Sequence, residues 1–208
     1  MIASEAEARA YCAGHLDAGR MRMLGDLVEM LRIENEQQNL VARSSLDQAW
    51  RRHIADSLQL IEHVPRETSD WLDFGSGGGF PGLVIAIACP QRAVVLIESR
   101  RLRAQWLERA VAQLGLANAS VVAARAETLP PHSAGIISAR AFAPLGKLLR
   151  LCARFSTPQT IWVLPKGRSA GHELQEQPVI IQRMFHVEHS LTDAQAGILV
   201  GQGVPDLS

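Results

Sequence analysis

Asp73-Phe74-Gly75-Ser76-Gly77-Gly78-Gly79-Phe80-Pro81-Gly82 is the stretch on which the fold turns. A short apolar run, Trp71 to Phe74, leads into it, and a helical run from Phe80 to Ala88, stopped by Pro90, leads out. A strand, a glycine turn and a helix start in that order present free backbone N–H groups where a ligand can approach closely. Glu98 closes the next apolar run, Ala93 to Ile97, and a carboxylate at a strand end there can accept both hydroxyls of a ribose. The stretch predicts a nucleoside-containing ligand.

Which nucleoside is decided by exclusion. Gly77, Gly79 and Gly82 formally match the GxGxxG of nicotinamide dinucleotide sites. Against that rival, Asp73 places a carboxylate at the mouth of the turn, where it suits a cation better than a pyrophosphate. Helices rather than a strand precede the unit, and the turn contains no Arg or Lys. A Walker A reading fails because the glycine turn holds no lysine, and Asp73-Phe74-Gly75 lacks the other kinase motifs. S-adenosylmethionine, which combines a sulfonium, an ammonium and a ribose, fits best.

Outward from the turn, two regimes appear. Residues 1–65 read as a helical cap. Leu24, Leu27, Val28 and Leu31 form one stripe, and Trp50, Ile54, Leu58 and Ile61 form another behind a cap at Ser44 or Ser45. Residues 66–208 alternate strand and helix as one compact unit. Strands are expected at 71–74, 93–97, 120–124, 135–139 and 160–164, with helices around Leu102–Leu114 and Pro144–Phe155. Val179–His189 and Gly197–Val200 read as a closing antiparallel hairpin whose last strand is short or frayed. The expected fold is α/β and Rossmann-like, a mostly parallel, doubly wound sheet with right-handed crossovers.

Composition narrows the partners. Of 208 residues, 47% are hydrophobic and 20% charged, which supports a buried core and argues against disorder. Basic and acidic residues are both 21, which excludes a polybasic-tail binder. Lys147 and Lys166 are the only lysines; arginine dominance suits forked phosphate contacts, but a GC-rich genome produces the same bias for no functional reason. Leu83 to Cys89 is far too short to span a bilayer, and Glu5 and Glu7 stand where a signal peptide is basic. Cys12, Cys89 and Cys152 form no CxxC, so neither a disulfide framework nor a zinc site is expected. The expectation is a cytoplasmic chain with no membrane partner.

The chain resembles the bacterial 16S ribosomal RNA guanine-N7 methyltransferase G, or glucose-inhibited division protein B, family. The carriers are Asn39-Leu40-Val41, His53-Ile54-Ala55-Asp56-Ser57-Leu58, the turn with its Gly-Phe-Pro-Gly end, and Glu98-Ser99. Further on come Arg125-Ala126-Glu127, Ser138-Ala139-Arg140-Ala141 and Lys166-Gly167, in the family's order over about residues 24 to 190. The resemblance implies a class I methyltransferase using S-adenosylmethionine on small-subunit ribosomal RNA, at the guanine numbered 527. Free 16S RNA or a precursor of the small subunit is the implied partner, and the chain is expected to act as a monomer. Gly75 and Phe80 are implied to contact the cofactor, Ala126 and Glu127 to flank the adenine, and Arg140 to close the pocket. Two other readings stay open: a small-molecule methyltransferase, or a non-catalytic nucleoside-sensing module on the same fold.

The cofactor set is therefore Asp73, Gly75, Gly77, Phe80, Glu98, Ala126, Glu127 and Arg140. Arg140, Lys166, Arg100 and Arg101 are candidates for RNA contact. For Arg140 the alternative is a salt bridge to Glu127 or Asp73; for Lys166 it is a solvated loop. His53 and Asp56, one helical turn apart, read as a buttress between cap and turn rather than as a catalytic dyad. His186-Val187-Glu188-His189 lacks HExxH spacing, so no metal is expected. No general base is assigned, because guanine N7 already presents a free lone pair.

Overall fold

The computed structural model describes residues 1–66 and 70–207. Strand β1 (Asp70–Phe74) lies inside a seven-stranded sheet, with Leu72 opposite Val95 on one side and Ile137 on the other. Beyond it lie β2 (Ala93–Ile97) and β3 (Ala119–Val122) on one side, and β4 (Ile136–Ser138) and β5 (Ile161–Gly167) on the other, all parallel. The last two strands, β6 (Phe185–His189) and β7 (Gly197–Gln202), are antiparallel, which gives the order β3-β2-β1-β4-β5-β7-β6. The chain moves outward from β1 through β2 to β3, then returns to place β4 on the opposite flank. The crevice at the ends of β1 and β4 is the switch point where open α/β sheets bind ligands.

Side-chain alternation sends the strands' residues into two cores. Trp71, Val94, Leu96 and Ile136 join one core with α5 (Gly82–Ala88) and α6 (Arg101–Gln113). That core also takes in Leu24, Leu27 and Leu31 of α2 (Ala18–Asn35), so the N-terminal helices share the sheet's hydrophobic interior. Leu72, Phe74, Ile137 and Trp162 point the other way, against α7 (Leu145–Cys152), α8 (Ala170–Gln175) and α9 (Val179–Met184).

Several elements differ from the expectation. Helix α1 (Glu5–His15) falls within the expected helical cap, and its start, not assigned from the sequence, is at Ser4, whose Oγ accepts from the Glu7 N–H at 3.2 Å. Ser45 does not cap a long helix. It lies inside the short α3 (Arg43–Leu46), followed by a π-helical stretch (Trp50–Ala55), one turn of α4 (Asp56–Leu58) and a 3-10 turn (Gln59–His63). Residues 179–184 are helix, not strand, because Pro178 stands at the N-cap and its carbonyl takes the Ile181 and Gln182 N–H groups. Nor is the last strand frayed: β7 runs to Gln202, and Gly203 pairs with both Thr160 and Trp162.

Leu27→Ala removes a fully buried side chain from the shared core and is expected to cost about 2–5 kcal/mol. Urea unfolding followed by tryptophan fluorescence and by far-UV circular dichroism checks this. One transition, displaced equally in both signals, is expected; two separated transitions would contradict a core common to cap and sheet.

Candidate active site

The glycine turn is held from below by Asp73. Its neighbours Leu72 and Phe74 point into one core, so Asp73 faces the same side as Trp71 and is fully buried. Oδ1 accepts from Ser138 Oγ of β4 at 2.7 Å, and Oδ2 from the Gly82 N–H at the start of α5 at 3.1 Å. Asp73 thus faces away from the mouth of the turn, and its oxygens serve the turn's own framework. Gly82 is needed for this approach: a Cβ there lies 2.1 Å from Leu96 Cδ2 and 2.8 Å from Asp73 Oδ2. Gly75 is needed twice over, for a φ of +68° and because a Cβ meets Phe142 at 2.5 Å.

Glu98 is aimed by two backbone groups. The Gly77 N–H donates to Oε2 at 3.0 Å and the Arg100 N–H to Oε1 at 2.8 Å. A carboxylate offers about four acceptor sites, so two remain for a ligand's hydroxyls. Beside it opens a cleft of about 370 Å³, lined by Gly75, Glu98, Ala126, Glu127, Arg100 and Phe142. That volume lies within the range of small-ligand sites. The chemistry of this lining, a fixed carboxylate with spare acceptors beside Gly75, Ala126 and Phe142, fits an adenosyl group.

A second cleft, of about 650 Å³, lies on the β4–β5 side and is lined by Arg52, His53, Asp56, Arg140, Lys166 and Asp193, among others. The two clefts share Ala141, Phe142 and Ala143. Ala141 has φ +52°, the one non-glycine residue with positive φ among the described residues. Such a conformation carries of order 1–3 kcal/mol of strain and concentrates at functional sites.

Arg140 joins the strand end to the cap. It pairs with Asp56 at 3.5 Å, not with Glu127 or Asp73, and Nη1 donates to the Arg52 carbonyl at 3.2 Å. That carbonyl is within the π-helical stretch, where the Asp56 N–H turns to His53 and Ile54 instead. Arg140 also lies over the Phe80 ring, 5.2 Å from its centroid, and Phe80 stacks on His53 at 4.9 Å. Phe80 is therefore a packing contact between turn and cap and lines neither cleft. His53 and Asp56 do not meet each other; both meet Arg140.

The hydrogen-bond chain assigns the His53 tautomer. Arginine has only donors, so Arg140 Nη2, 3.3 Å away, donates to Nδ1, and Nε2–H then donates to Ser45 Oγ at 2.8 Å. Ser45 Oγ in turn donates to the Ala42 carbonyl at 2.6 Å. Burial, with the charges of Arg140 and Arg52, pushes His53 down to about 3. The ring is neutral at physiological pH.

Of the residues expected at RNA, Lys166 is committed elsewhere. Its side chain is 7% exposed, pairs with Glu173 at 3.0 Å and donates to the Ala143 carbonyl at 2.7 Å. It is neither a solvated loop residue nor a free phosphate contact; it props the bridge between the clefts. Arg100 and Arg101 are exposed, Arg100 on the rim of the smaller cleft. Among the described residues no group of three His, Cys, Asp or Glu is placed to hold a metal, and no helix is long and apolar enough to cross a membrane.

Sheet order, glycine turn and strand-end carboxylate define a class I methyltransferase. The fold is similar to that of a SAM-dependent methyltransferase from Aquifex aeolicus, at TM-score 0.58 and 15% identity over 82% of this chain and 98% of that one. The family model for rRNA small subunit methyltransferase G matches residues 20–197, and the chain belongs to that family. It is 57% identical to the ribosomal RNA small subunit methyltransferase G of Erythrobacter litoralis, over 98% of each chain. To that of Novosphingobium aromaticivorans it is 54% identical, over 97% of this chain and 89% of the relative.

Burial raises the Asp73 carboxyl from 3.8 to about 6, against the opposing pull of Ser138, Ser76, the Gly82 N–H and the charge of Arg140. The folded-state value is raised, so this group's contribution to stability is complete below its unfolded value and is lost as pH rises through about 6. The unfolding free energy of the wild type minus that of Asp73→Asn should therefore fall between about pH 4 and pH 6 and level off above about pH 7. Urea titrations of both proteins across this range check it; a constant difference would contradict it.

Proposed function

We infer that this chain transfers the methyl group of S-adenosylmethionine to guanine N7 in small-subunit ribosomal RNA. The observation that carries the reading is the pair of clefts meeting at Ala141–Ala143, one with the glycine turn and Glu98, the other broad and polar. In a chain of the rRNA small subunit methyltransferase G family, they divide naturally into a cofactor side and a base side. The sequence resemblance supports the guanine numbered 527 as the target.

S-adenosylmethionine supplies an electrophilic methyl group on a sulfonium. Glu98 would accept the ribose hydroxyls, its carboxylate fixed by Gly77 and Arg100. Ala126 and Glu127 line the same cleft where the adenine would lie, and Gly75 lets the backbone come close. Asp73, Phe80 and Arg140 act at one remove, by holding the turn, the cap and the bridge between clefts. Gly77 also acts through Glu98.

No residue of the site needs to remove a proton. Guanine N7 attacks with a free lone pair, and the protein's share is alignment and exclusion of water. Alignment of two bound reactants is worth roughly 7–11 kcal/mol, which makes it the dominant contribution. His53 is locked neutral by its donor and acceptor partners, and Asp56 is engaged by Arg140, Thr192 and Gln59. A looped-out guanine is the accessible target, because the major groove of A-form RNA is too narrow to admit side chains.

Two outcomes are expected. Glu98→Ala should weaken S-adenosylmethionine binding by about 10–100-fold, the value of charge-assisted hydrogen bonds; calorimetry measures it, with NADH as the control that should not bind. Transfer of labelled methyl to 16S RNA or to immature small subunits, in single turnover with both ligands saturating, should be flat from about pH 6 to pH 9. A steep rise abolished by removing one His, Asp or Glu would contradict the mechanism. Labelling of a metabolite extract but not RNA would contradict the substrate.

A further inference from the structure

The larger cleft holds three carboxylates, and their hydrogen bonds set one apart. Glu173 accepts from Ser169 Oγ at 2.7 Å and the Leu145 N–H at 2.8 Å, and pairs with Lys166 at 3.0 Å. Burial pushes its carboxyl up, but those three donors outweigh it and hold the group below its ordinary range. Asp56 accepts from Thr192 Oγ1 at 2.7 Å and Gln59 Nε2 at 3.0 Å, with Arg140 3.5 Å from its other oxygen. Both carboxylates are structural.

Asp193 is different. It lies on the loop between β6 and β7 and accepts one backbone N–H, from Gln195, at 3.0 Å. Its nearest cation, Arg168 Nη2, is 3.8 Å away, beyond hydrogen-bond distance, on a side chain that is 72% exposed. Asp193 itself is 29% exposed and lines the cleft. Most of its acceptor sites are therefore uncommitted. The loop that carries it is anchored: Thr192 and Ser190 bond to each other at 3.0 Å, and the Leu191 N–H donates to Gln59 Oε1 at 2.7 Å. Asp193 is thus a carboxylate with open acceptor sites on a fixed support.

A guanine base has two adjacent donors, N1–H and an N2 hydrogen, on its Watson–Crick edge, and one carboxylate can accept both side by side. Adenine has an unprotonated N1 there, which a carboxylate repels. N7 lies on the opposite edge of the purine. We propose that Asp193 accepts the N1–H and N2–H of the target guanine, selecting guanine and directing N7 toward the Ala141–Ala143 bridge and the methyl donor. The proposal rests on the guanine-N7 reading above and names the residue that makes the site guanine-specific.

The same contact assists the transfer. The N7 lone pair forms the new N–CH3 bond while the S–CH3 bond breaks, its electron pair staying on sulfur. A sulfonium becomes a neutral thioether, and the positive charge passes to the purine. A carboxylate on the N1–H/N2–H edge gains attraction as that charge develops, so Asp193 contributes more in the transition state than in the ground state.

The test is single-turnover methylation of small subunits assembled on ligated 16S RNA that carries guanosine or inosine at the target position. Inosine keeps N1–H and N7 and lacks only the N2 amine. The wild-type protein should prefer guanosine by about 10-fold or more. Asp193→Ala should lose about 100-fold on guanosine and compress the guanosine-to-inosine ratio to within about 3-fold, while its calorimetric affinity for S-adenosylmethionine stays within about 2-fold of wild type. Asp193→Asn, which keeps one acceptor, should fall between. A guanosine-to-inosine ratio in Asp193→Ala equal to that of the wild type overturns the proposal and leaves the functional reading standing. Failure of the wild type to methylate the guanosine particle overturns both.

Discussion

The buried carboxylate of Asp73 is the joint from which the site is hung. It links β1 to β4 through Ser138 and β1 to the start of α5 through the Gly82 N–H. Ser138 in turn accepts from Trp71 Nε1 at 2.7 Å, which closes a polar cluster inside an otherwise apolar core. Burying an ionisable group is costly unless its oxygens are hydrogen-bonded, and here each oxygen has a partner on a different element. The place so fixed is the one where the sheet's strand order divides. From it the chain can curve so that the Gly77 N–H reaches Glu98, and β4 can end in the Arg140–Ala141 turn between the two clefts.

The helical cap is part of this site. Arg140 hooks onto Asp56 and the Arg52 carbonyl, and Phe80 of the turn packs between Arg140 and His53. Asp56 then passes the connection to Thr192, on the loop between β6 and β7. Three regions far apart in sequence therefore enclose the larger cleft. Displacing the cap would alter the base side of the site as well as the packing of the sheet. The cations expected at RNA divide accordingly: Lys166 and Arg140 hold the walls, while Arg100 and Arg101 are exposed to solvent.

What was legible in the sequence was local. The glycine turn, the carboxylate after β2 and the alternation of apolar strands and helices each depend on neighbouring residues, and the parallel sheet with its antiparallel end follows from them. What depends on distant partners was not legible. Asp73 reads as a ligand contact because its position in the motif is plain, whereas its partners Ser138 and Gly82 belong to other elements. Lys166 looks free until Glu173 is brought beside it, and Arg140 looks like a partner for Glu127 until the cap folds over. Pro178 was a usable local signal for α9, and Ser4 with Glu7 for α1. Asp193 carries no motif; only the closing of the cleft around it makes it visible.

The central claim is that this chain places one methyl group on a guanine N7 of small-subunit ribosomal RNA. It is tested most directly by mass mapping of the modified nucleotides in that RNA from a strain lacking the gene, with and without the gene restored. The account predicts that a single 7-methylguanosine disappears on deletion and returns on restoration. An unchanged set of 7-methylguanosines in the two strains would contradict it.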